Sequence, residues 1–127
     1  MPQEGKFGIT AQTTVVIPAA NDGFKMAADF FVQQFATASG IRLNMVFDTG
    51  NAPTNSITFR LSDDTELGDE GYTLSVTKTG VTVEAITGNG AFYAIQTIMQ
   101  LLPPEIYSAK KQRVSWSIPC VEITDKP

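Results

Sequence analysis

The order of patterns between residues 71 and 103 constrains the fold more than any other feature of the sequence. The segments GYTLSVTK and GVTVEAIT alternate apolar and polar residues on either side of Thr79 and Gly80, which predicts a two-stranded hairpin with one buried face. The predicted buried residues are Leu74, Val76, Val81, Val83 and Ala85. The next segment, GNGAFYAIQTIMQLLP, has the longer apolar period of a helix. A sheet covered by helices on one face accommodates both patterns.

The helix after the hairpin is predicted to belong to the core. Its broad apolar face comprises Ala91, Ala94, Ile95, Ile98, Leu101 and Leu102, and its narrow polar stripe comprises Tyr93, Gln96, Thr97 and Gln100. Asn89 is the predicted cap of the first turn, and Pro103 with Pro104 ends the helix. Gly90 would let the backbone turn sharply out of the preceding strand.

The sequence before the hairpin predicts another helix, the first of the chain, and further strands come before and after the hairpin. Residues 8–18 are rich in β-branched side chains and predict the first strand. Residues 21–40 predict a helix that Asn21 or Asp22 caps and Gly40 ends. Its predicted core face comprises Phe24, Ala27, Ala28, Phe31, Phe35 and Ala38. Three more extended segments lie at residues 41–47, 55–62 and 114–123.

These patterns together predict an α+β fold with one mixed β-sheet. The sheet would have about six strands, and the two α-helices would pack on one of its faces. A chain of 127 residues has the length of one domain with one core. We therefore expect a single domain over residues 1–127.

The composition argues against several classes of function. The chain has no histidine, so it lacks the commonest general base and the commonest zinc ligand. Its net charge of -4 opposes binding to nucleic acid. Its apolar stretches are shorter than the roughly 18 to 20 residues of a membrane span. Cys120, the only cysteine, is interpreted as a small buried hydrophobe. We expect no cofactor, no metal, no nucleic-acid partner and no membrane span.

An acidic run is the first feature that invites a catalytic interpretation. It comprises Asp63, Asp64, Glu66, Asp69 and Glu70. The run lacks the alternating spacing of a calcium loop, and neighbours on a turn do not specify the paired carboxyl groups of a glycosidase. We predict a solvent-exposed loop and place no active site there.

The glycines at the start of the second helix are the other such feature. Gly88 and Gly90 follow a strand and precede a helix, as in a dinucleotide-binding fingerprint. The position of the third glycine is occupied by Tyr93, whose bulk opposes the close packing that glycine permits. A structural role for these glycines is therefore favoured over anion binding.

Met26 and Phe30 lie on a different side of the first helix from its predicted core face. They alternate with Gln33 and Thr37 at helical spacing. One interpretation is a second contact surface, and the other is two scattered apolar side chains of the kind common on monomers. The residue pattern alone leaves both open.

The second half of the chain resembles a known family. The matching elements are the E-G-Y opening of the hairpin at Glu70, the helix G-x-F-Y-x-x-Q-T-x-x-Q-L-L-P, and the exit I-x-D-x-P at the end of the chain. They resemble the non-catalytic N-terminal domain of the β-N-acetylhexosaminidases of glycoside hydrolase family 20. Residues 1–69 match only in the order of their elements, and Ala94 stands where the family usually has glycine.

The resemblance implies a zincin-like architecture without a zinc site, and a catalytic (β/α)8 barrel that begins after Pro127. Residues 1–127 would then be one non-catalytic N-terminal domain. The whole enzyme would remove terminal N-acetylglucosamine or N-acetylgalactosamine from glycoconjugates, with the substrate's acetamido group as nucleophile. In the family this domain packs on the barrel largely through its helices, so Met26 and Phe30 are expected to face the barrel.

Two alternatives remain. A carbohydrate-binding module would present exposed aromatic faces, for which Tyr72, Tyr107 and Trp116 are the candidates. Trp116 lies in an alternating segment that favours the core or an interface, and we do not expect this domain to bind glycans. The second alternative is that the chain is the equivalent domain of another glycosidase family, since similar domains precede other sugar-cleaving barrels. The resemblance and the absence of a disulfide favour a bacterial protein that is periplasmic or exported, although residues 1–10 do not form a signal peptide.

Overall fold

The computed structural model describes residues 2–19, 21–50 and 54–126, and the side chains within these ranges from Gly5 onward. The described residues form one seven-stranded sheet and two α-helices. The strands are β1 (Pro2–Gly8), β2 (Thr14–Ile17), β3 (Asn44–Phe47), β4 (Ser56–Leu61), β5 (Tyr72–Thr77), β6 (Gly80–Ala85) and β7 (Ser117–Asp125). The helices are α1 (Asp22–Ser39) and α2 (Gly88–Leu101), and two short 3-10 helices span Thr65–Leu67 and Pro104–Tyr107. The α+β prediction is confirmed.

The sheet is mixed, as predicted, with the order β1-β7-β5-β6-β4-β2-β3. Its parallel half consists of β3, β2, β4 and β6, which are adjacent in that order. The antiparallel half adds β5 beside β6, then β7 and β1. Because α1 and α2 each follow a strand of the parallel half, both helices begin at the edge of the sheet where these strands end.

The first strand is where the prediction was wrong. Residues 8–18 do not form one strand, because residues 10–13 make a turn in which the Thr13 N–H donates to the Thr10 carbonyl at 3.0 Å. Only residues 14–17 remain extended as β2, and β1 is an additional strand over residues 2–8. Its sequence PQEGKFG has no regular apolar alternation, and it lies at an edge where β7 is its only sheet neighbour among the described strands. The sheet therefore has seven described strands rather than about six.

Two smaller bounds also differ from the prediction. The hairpin turn is at Lys78 and Thr79, and Gly80 is the first residue of β6. The last strand begins at Ser117 rather than residue 114 and continues to Asp125. It continues because β5 offers a backbone partner as far as Tyr72, whatever the side-chain pattern.

The ends of α1 follow the predicted capping. The side chain of Asn21 accepts a hydrogen bond from the Phe24 N–H at 3.0 Å, which satisfies one of the free donors of the first turn. Gly40 ends the helix in the left-handed conformation with φ of 76°, where glycine carries no steric penalty. Within the described residues, no helix has the combination of length and apolar character needed to cross a membrane.

The core lies between the sheet and the two helices. All the core residues predicted for the hairpin and for α1 are buried. The side chains that alternate with these core residues on β4, β5 and β6 are mostly serine and threonine and belong to the opposite face. Since α1 and α2 share one hydrophobic cluster with the apolar face, both helices cover the same side of the sheet, as predicted.

Candidate functional site: a groove between the two helices

The helices α1 and α2 lie side by side and run in the same direction. They approach closely near their N-terminal ends, where Gly23 faces Gly88. A Cβ atom on Gly88 would lie 2.6 Å from the Gly23 Cα, a distance that real side chains do not tolerate. Farther along, the rings of Phe30 and Phe92 are 5.2 Å apart between centroids. Two glycines therefore permit the close approach, and two aromatic rings pack against each other farther along the helices.

The outer surface of this helix pair carries an apolar groove. Its first cavity, near the helix N-termini, has a volume of about 420 Å³. It is lined by Gly23, Met26, Ala27, Phe30, Thr87, Gly88, Asn89 and Phe92. The side chain of Met26 is 72% exposed and that of Phe30 is 43% exposed. Both predicted interface residues therefore line the same cavity.

The groove continues into a second cavity of about 310 Å³. Phe30 lines both cavities. The other residues around the second cavity are Gln34, Gln96, Met99, Gln100 and Tyr107. The Gln34 side-chain amide donates to the Ile106 carbonyl at 2.7 Å, which ties α1 to the 3-10 helix after α2. Among the described residues, those that line the two cavities carry apolar, amide and hydroxyl groups and no charged side chain. An uncharged partner surface therefore suits the groove.

The glycines at the start of α2 serve close packing, as the sequence favoured. A Cβ on Gly90 would lie 2.3 Å from the carbonyl oxygen of Gly71, which precedes β5. The prediction that Asn89 caps α2 is wrong, because Thr87 is the N-cap and its hydroxyl accepts from the Asn89 N–H at 3.1 Å. The Asn89 side chain instead donates to the Asp69 carboxylate at 2.6 Å. A carboxylate beside the helix N-terminus opposes the binding of an anion there.

The two sequence motifs that carry the family resemblance contact each other directly. The Tyr93 hydroxyl on α2 donates to the Glu70 carboxylate at 3.0 Å. The hydroxyls of Tyr72 on β5 and Thr97 on α2 are 2.5 Å apart. Two side-chain hydrogen bonds therefore join the E-G-Y segment to the F-Y-x-x-Q-T segment of α2.

Glu70 also changes the acidity of its partner. The hydrogen bond from Tyr93 and the nearby negative charge of Glu70 raise the pKa of the Tyr93 phenol above its usual value of 10.0. Ionised Tyr93 would lose this hydrogen bond and be repelled by the carboxylate. The interaction holds Tyr93 neutral, which suits a structural contact better than proton transfer.

The acidic run is exposed, as predicted, but several of its side chains make defined contacts. Asp64 caps the first 3-10 helix by accepting from the Glu66 N–H at 3.1 Å. Glu66 forms a surface salt bridge with Lys126 at 3.0 Å. Within the described ranges, no group of three or more histidine, cysteine, aspartate or glutamate side chains is arranged to hold a metal ion.

The aromatic candidates for sugar binding are not brought together as a platform. Tyr72 and Trp116 are buried in the core, and Trp116 stacks edge-on against Phe35 with centroids 5.4 Å apart. Trp116 was expected in the core or at an interface, and it lies in the core. Tyr107 alone of the three is largely exposed, at the end of the groove. Cys120 is buried, as predicted.

Sequence reasoning missed three contributors to the groove and its support. Phe92 faces Phe30, Thr87 caps α2, and Gly71 leaves space for α2 to approach β5. Thr87 was detectable, because threonine precedes the first helical residue at the spacing of a cap. Phe92 and Gly71 depend on which elements become neighbours, and one segment read alone does not contain this information.

The comparisons with known proteins agree with this fold over nearly its whole length. The family model "Glycosyl hydrolase family 20, domain 2" matches residues 1–126. A beta-hexosaminidase from Porphyromonas gingivalis is 30% identical over 125 residues, which make up 98% of this chain and 16% of that protein.

Two solved structures show the same similarity. The GH20 beta-N-acetylhexosaminidase of Streptomyces coelicolor matches 100% of this chain with a TM-score of 0.86 and 28% identity. A mutant beta-hexosaminidase of Streptomyces plicatus, in complex with product (GlcNAc), matches 99% with a TM-score of 0.85 and 29% identity. This chain spans 24% of each of those chains. The match of the family model over residues 1–126 establishes that the chain belongs to glycosyl hydrolase family 20, as its domain 2.

Proposed function

We propose that this chain is the non-catalytic N-terminal domain of a β-N-acetylhexosaminidase and that it supports a catalytic barrel in the same protein. The observation that carries the proposal is the unequal coverage of the matches. They include nearly all of this chain but only 16% to 24% of the relatives, so most of each relative lies outside this domain. The barrel would follow Pro127 and supply the groups that cleave terminal N-acetylglucosamine or N-acetylgalactosamine.

The groove between α1 and α2 is, in this proposal, the surface that meets the barrel. Its support is the exposure of Met26 and Phe30 on a surface where apolar side chains would gain from being covered. The uncharged lining suits an interface within one chain, since no charge has to lose its water.

The end of β7 supports the same placement. Tyr72 pairs with Ala85, the last residue of β6, and with Asp125, the last residue of β7. The edge where β6 passes into α2 is therefore also the edge where β7 ends. A segment continuing from Lys126 would begin near the N-terminal end of the groove, within reach of a barrel placed against the helices.

The proposal is tested by replacing Met26 and Phe30 with glutamine in the longer parent chain. The Met26 change alone should cost the isolated 127-residue chain less than about 1 kcal/mol of unfolding free energy, because that side chain is 72% exposed. The Phe30 change also removes the contact with the Phe92 ring, so the isolated chain that carries both changes is the reference for the intrinsic loss of stability. Removing two apolar contacts from the interface should weaken docking by about 2 kcal/mol or more. We expect a lower thermal midpoint and a lower kcat/KM for the parent enzyme.

The matched control is Leu61→Gln, which replaces a similarly exposed apolar side chain outside the groove. It should leave the thermal midpoint and the activity of the parent chain close to those of the unmodified protein. Equal effects of the groove variant and the control would count against the groove as the contact with the barrel.

A carbohydrate-binding role has less support. The burial of Tyr72 and Trp116 removes two of the three aromatic faces that could stack on sugar rings. Calorimetric titration of the isolated chain with N-acetylglucosamine oligomers measures this directly, and we expect no heat of binding. Export to the periplasm or beyond the cell is part of the same proposal, and cell fractionation of the native host would test it.

A further inference from the structure

We propose that the free edge of β3 is an interface for a second copy of this chain. In the described part of the molecule, β3 is the last strand of the sheet and pairs only with β2. Its outer residues Val46 and Phe47 are 45% and 58% exposed. An apolar edge strand with unpaired backbone groups is a template for another strand. The edge is distinct from the groove between the helices.

The backbone direction determines which residues could bond to an added strand. The Asp48 N–H donates to the Ile17 carbonyl at 2.8 Å, so the backbone groups of Asp48 point toward β2. In a parallel ladder the residues that bond to one neighbour alternate with those that face away. Met45 and Phe47 therefore direct their N–H and carbonyl groups outward.

One antiparallel register matches both these groups and the charges. A two-fold axis at Met45 places Met45 beside its own copy and Leu43 beside Phe47 of the second copy. The same register places Arg42 opposite Asp48 of the second copy, and the reverse, so two ion pairs form. β3 itself spans Asn44–Phe47, so Arg42 and Asp48 flank the strand. Continuing the alternation of the strand through them would place their side chains on the side of Val46. Moving the axis to Phe47 instead would place Asp48 opposite Val46 and lose both ion pairs.

The apolar side of this register continues the existing core. Leu43 is buried, and Met45 packs against the core cluster. Both lie on the helix side of the sheet with Phe47, because they alternate with Val46. Pairing in this register would place Phe47 of the second copy beside Leu43, at the rim of that cluster. The exposed ring would then be covered on the side that is now in water.

The interface would be closed and small. Two copies related by a two-fold axis bury the same patch on each other and leave no free β3 edge, so the assembly stops at a dimer. One pair of short strands belongs to the class of interfaces below roughly 1,200 Å², which are weak. We therefore expect a dimer that forms reversibly as the concentration rises.

Sedimentation velocity of the 127-residue chain over a range of concentrations tests the proposal, with charge reversals at the edge. Arg42→Asp places like charges opposite each other at both ends of the pair, and Asp48→Arg does the same with the opposite sign. Each should weaken self-association by roughly tenfold. The double variant Arg42→Asp with Asp48→Arg restores both ion pairs and should restore the dimer.

Lys78→Asp is the control, because it makes the same charge change as Arg42→Asp at an exposed site in the turn between β5 and β6, which β4 and β2 separate from β3. It should leave self-association close to that of the unmodified chain. Asp48→Arg also removes the acceptor for the Gly50 N–H, so circular dichroism should establish that each variant is folded. Arg42→Asp alone makes the same test at an exposed side chain.

Amide exchange measured by nuclear magnetic resonance gives a second readout. The Met45 and Phe47 amides should become more protected as the concentration rises, while the amides of Asn44 and Val46, which face β2, should change little. A monomer at all concentrations would overturn the proposal. So would a dimer that Arg42→Asp leaves intact, or one that the double charge swap fails to restore.

Discussion

Gly90 is the residue at which the contact between α2 and the sheet depends most on the absence of a side chain. Its missing Cβ would meet the Gly71 carbonyl oxygen at 2.3 Å, and backbone atoms cannot move aside as a flexible side chain does. We predict that Gly90→Ala lowers the free energy of unfolding by about 1 to 3 kcal/mol. Gly8→Ala is the control, since a Cβ there meets no atom within 4 Å. Urea unfolding of both variants makes the comparison, and equal stabilities would contradict the assigned role of Gly90.

The hydrogen bond between Tyr93 and Glu70 can be tested at the same scale through the pKa of Tyr93. Because Glu70 raises the Tyr93 pKa, replacing Glu70 with glutamine should lower that pKa toward its usual value of 10.0. The raised pKa also determines how the free energy of unfolding depends on pH. The folded state favours the neutral phenol. The stabilisation from this hydrogen bond is therefore complete below the usual pKa of tyrosine and is lost as the pH rises through the raised pKa of Tyr93. Glu66→Gln, which removes the salt bridge to Lys126, should leave the Tyr93 titration unchanged. Titration of the tyrosine carbon resonances by nuclear magnetic resonance distinguishes these outcomes.

At the scale of elements, the hydrogen bond between the Tyr72 and Thr97 hydroxyls should couple the stabilities of β5 and α2. The hydroxyls of Tyr72 and Thr97 are 2.5 Å apart, and Tyr72 is buried. We predict that Tyr72→Phe and Thr97→Val each destabilise the protein and that the double variant costs less than the sum. The expected coupling is about 0.5 to 1.5 kcal/mol. Additive effects in this double-mutant cycle would show that the two hydroxyls do not stabilise each other.

How far the elements could be predicted depends on where their stability comes from. The hairpin and both helices follow from their own periodicity, because each buries one apolar side. β1 could not be predicted in this way, since its backbone bonds to β7, more than 100 residues away in sequence, hold it in the sheet. The sequence indicated the α1 side of the groove but not the α2 side. Met26 and Phe30 stood out on α1, whereas Phe92 became its partner only once the helices were neighbours.

At the scale of the whole molecule, the described domain is organised around a sheet whose apolar face packs against both helices. The two helices shield the apolar face, and their outer surface carries an uncharged groove. No described feature of the groove supplies a nucleophile beside a base, and the matching relatives extend far beyond this domain. The central claim of our account is that the chemistry of the enzyme lies in another domain and that this chain supports it.

Hydrolysis of a chromogenic N-acetyl-β-glucosaminide tests that claim most directly. The 127-residue chain and the parent chain extended past Pro127 should be assayed side by side at equal molar concentration. Our account predicts hydrolysis by the extended chain and none by the 127-residue chain. Hydrolysis by the 127-residue chain would contradict the non-catalytic role, and silence in both chains would contradict the assignment to a hexosaminidase.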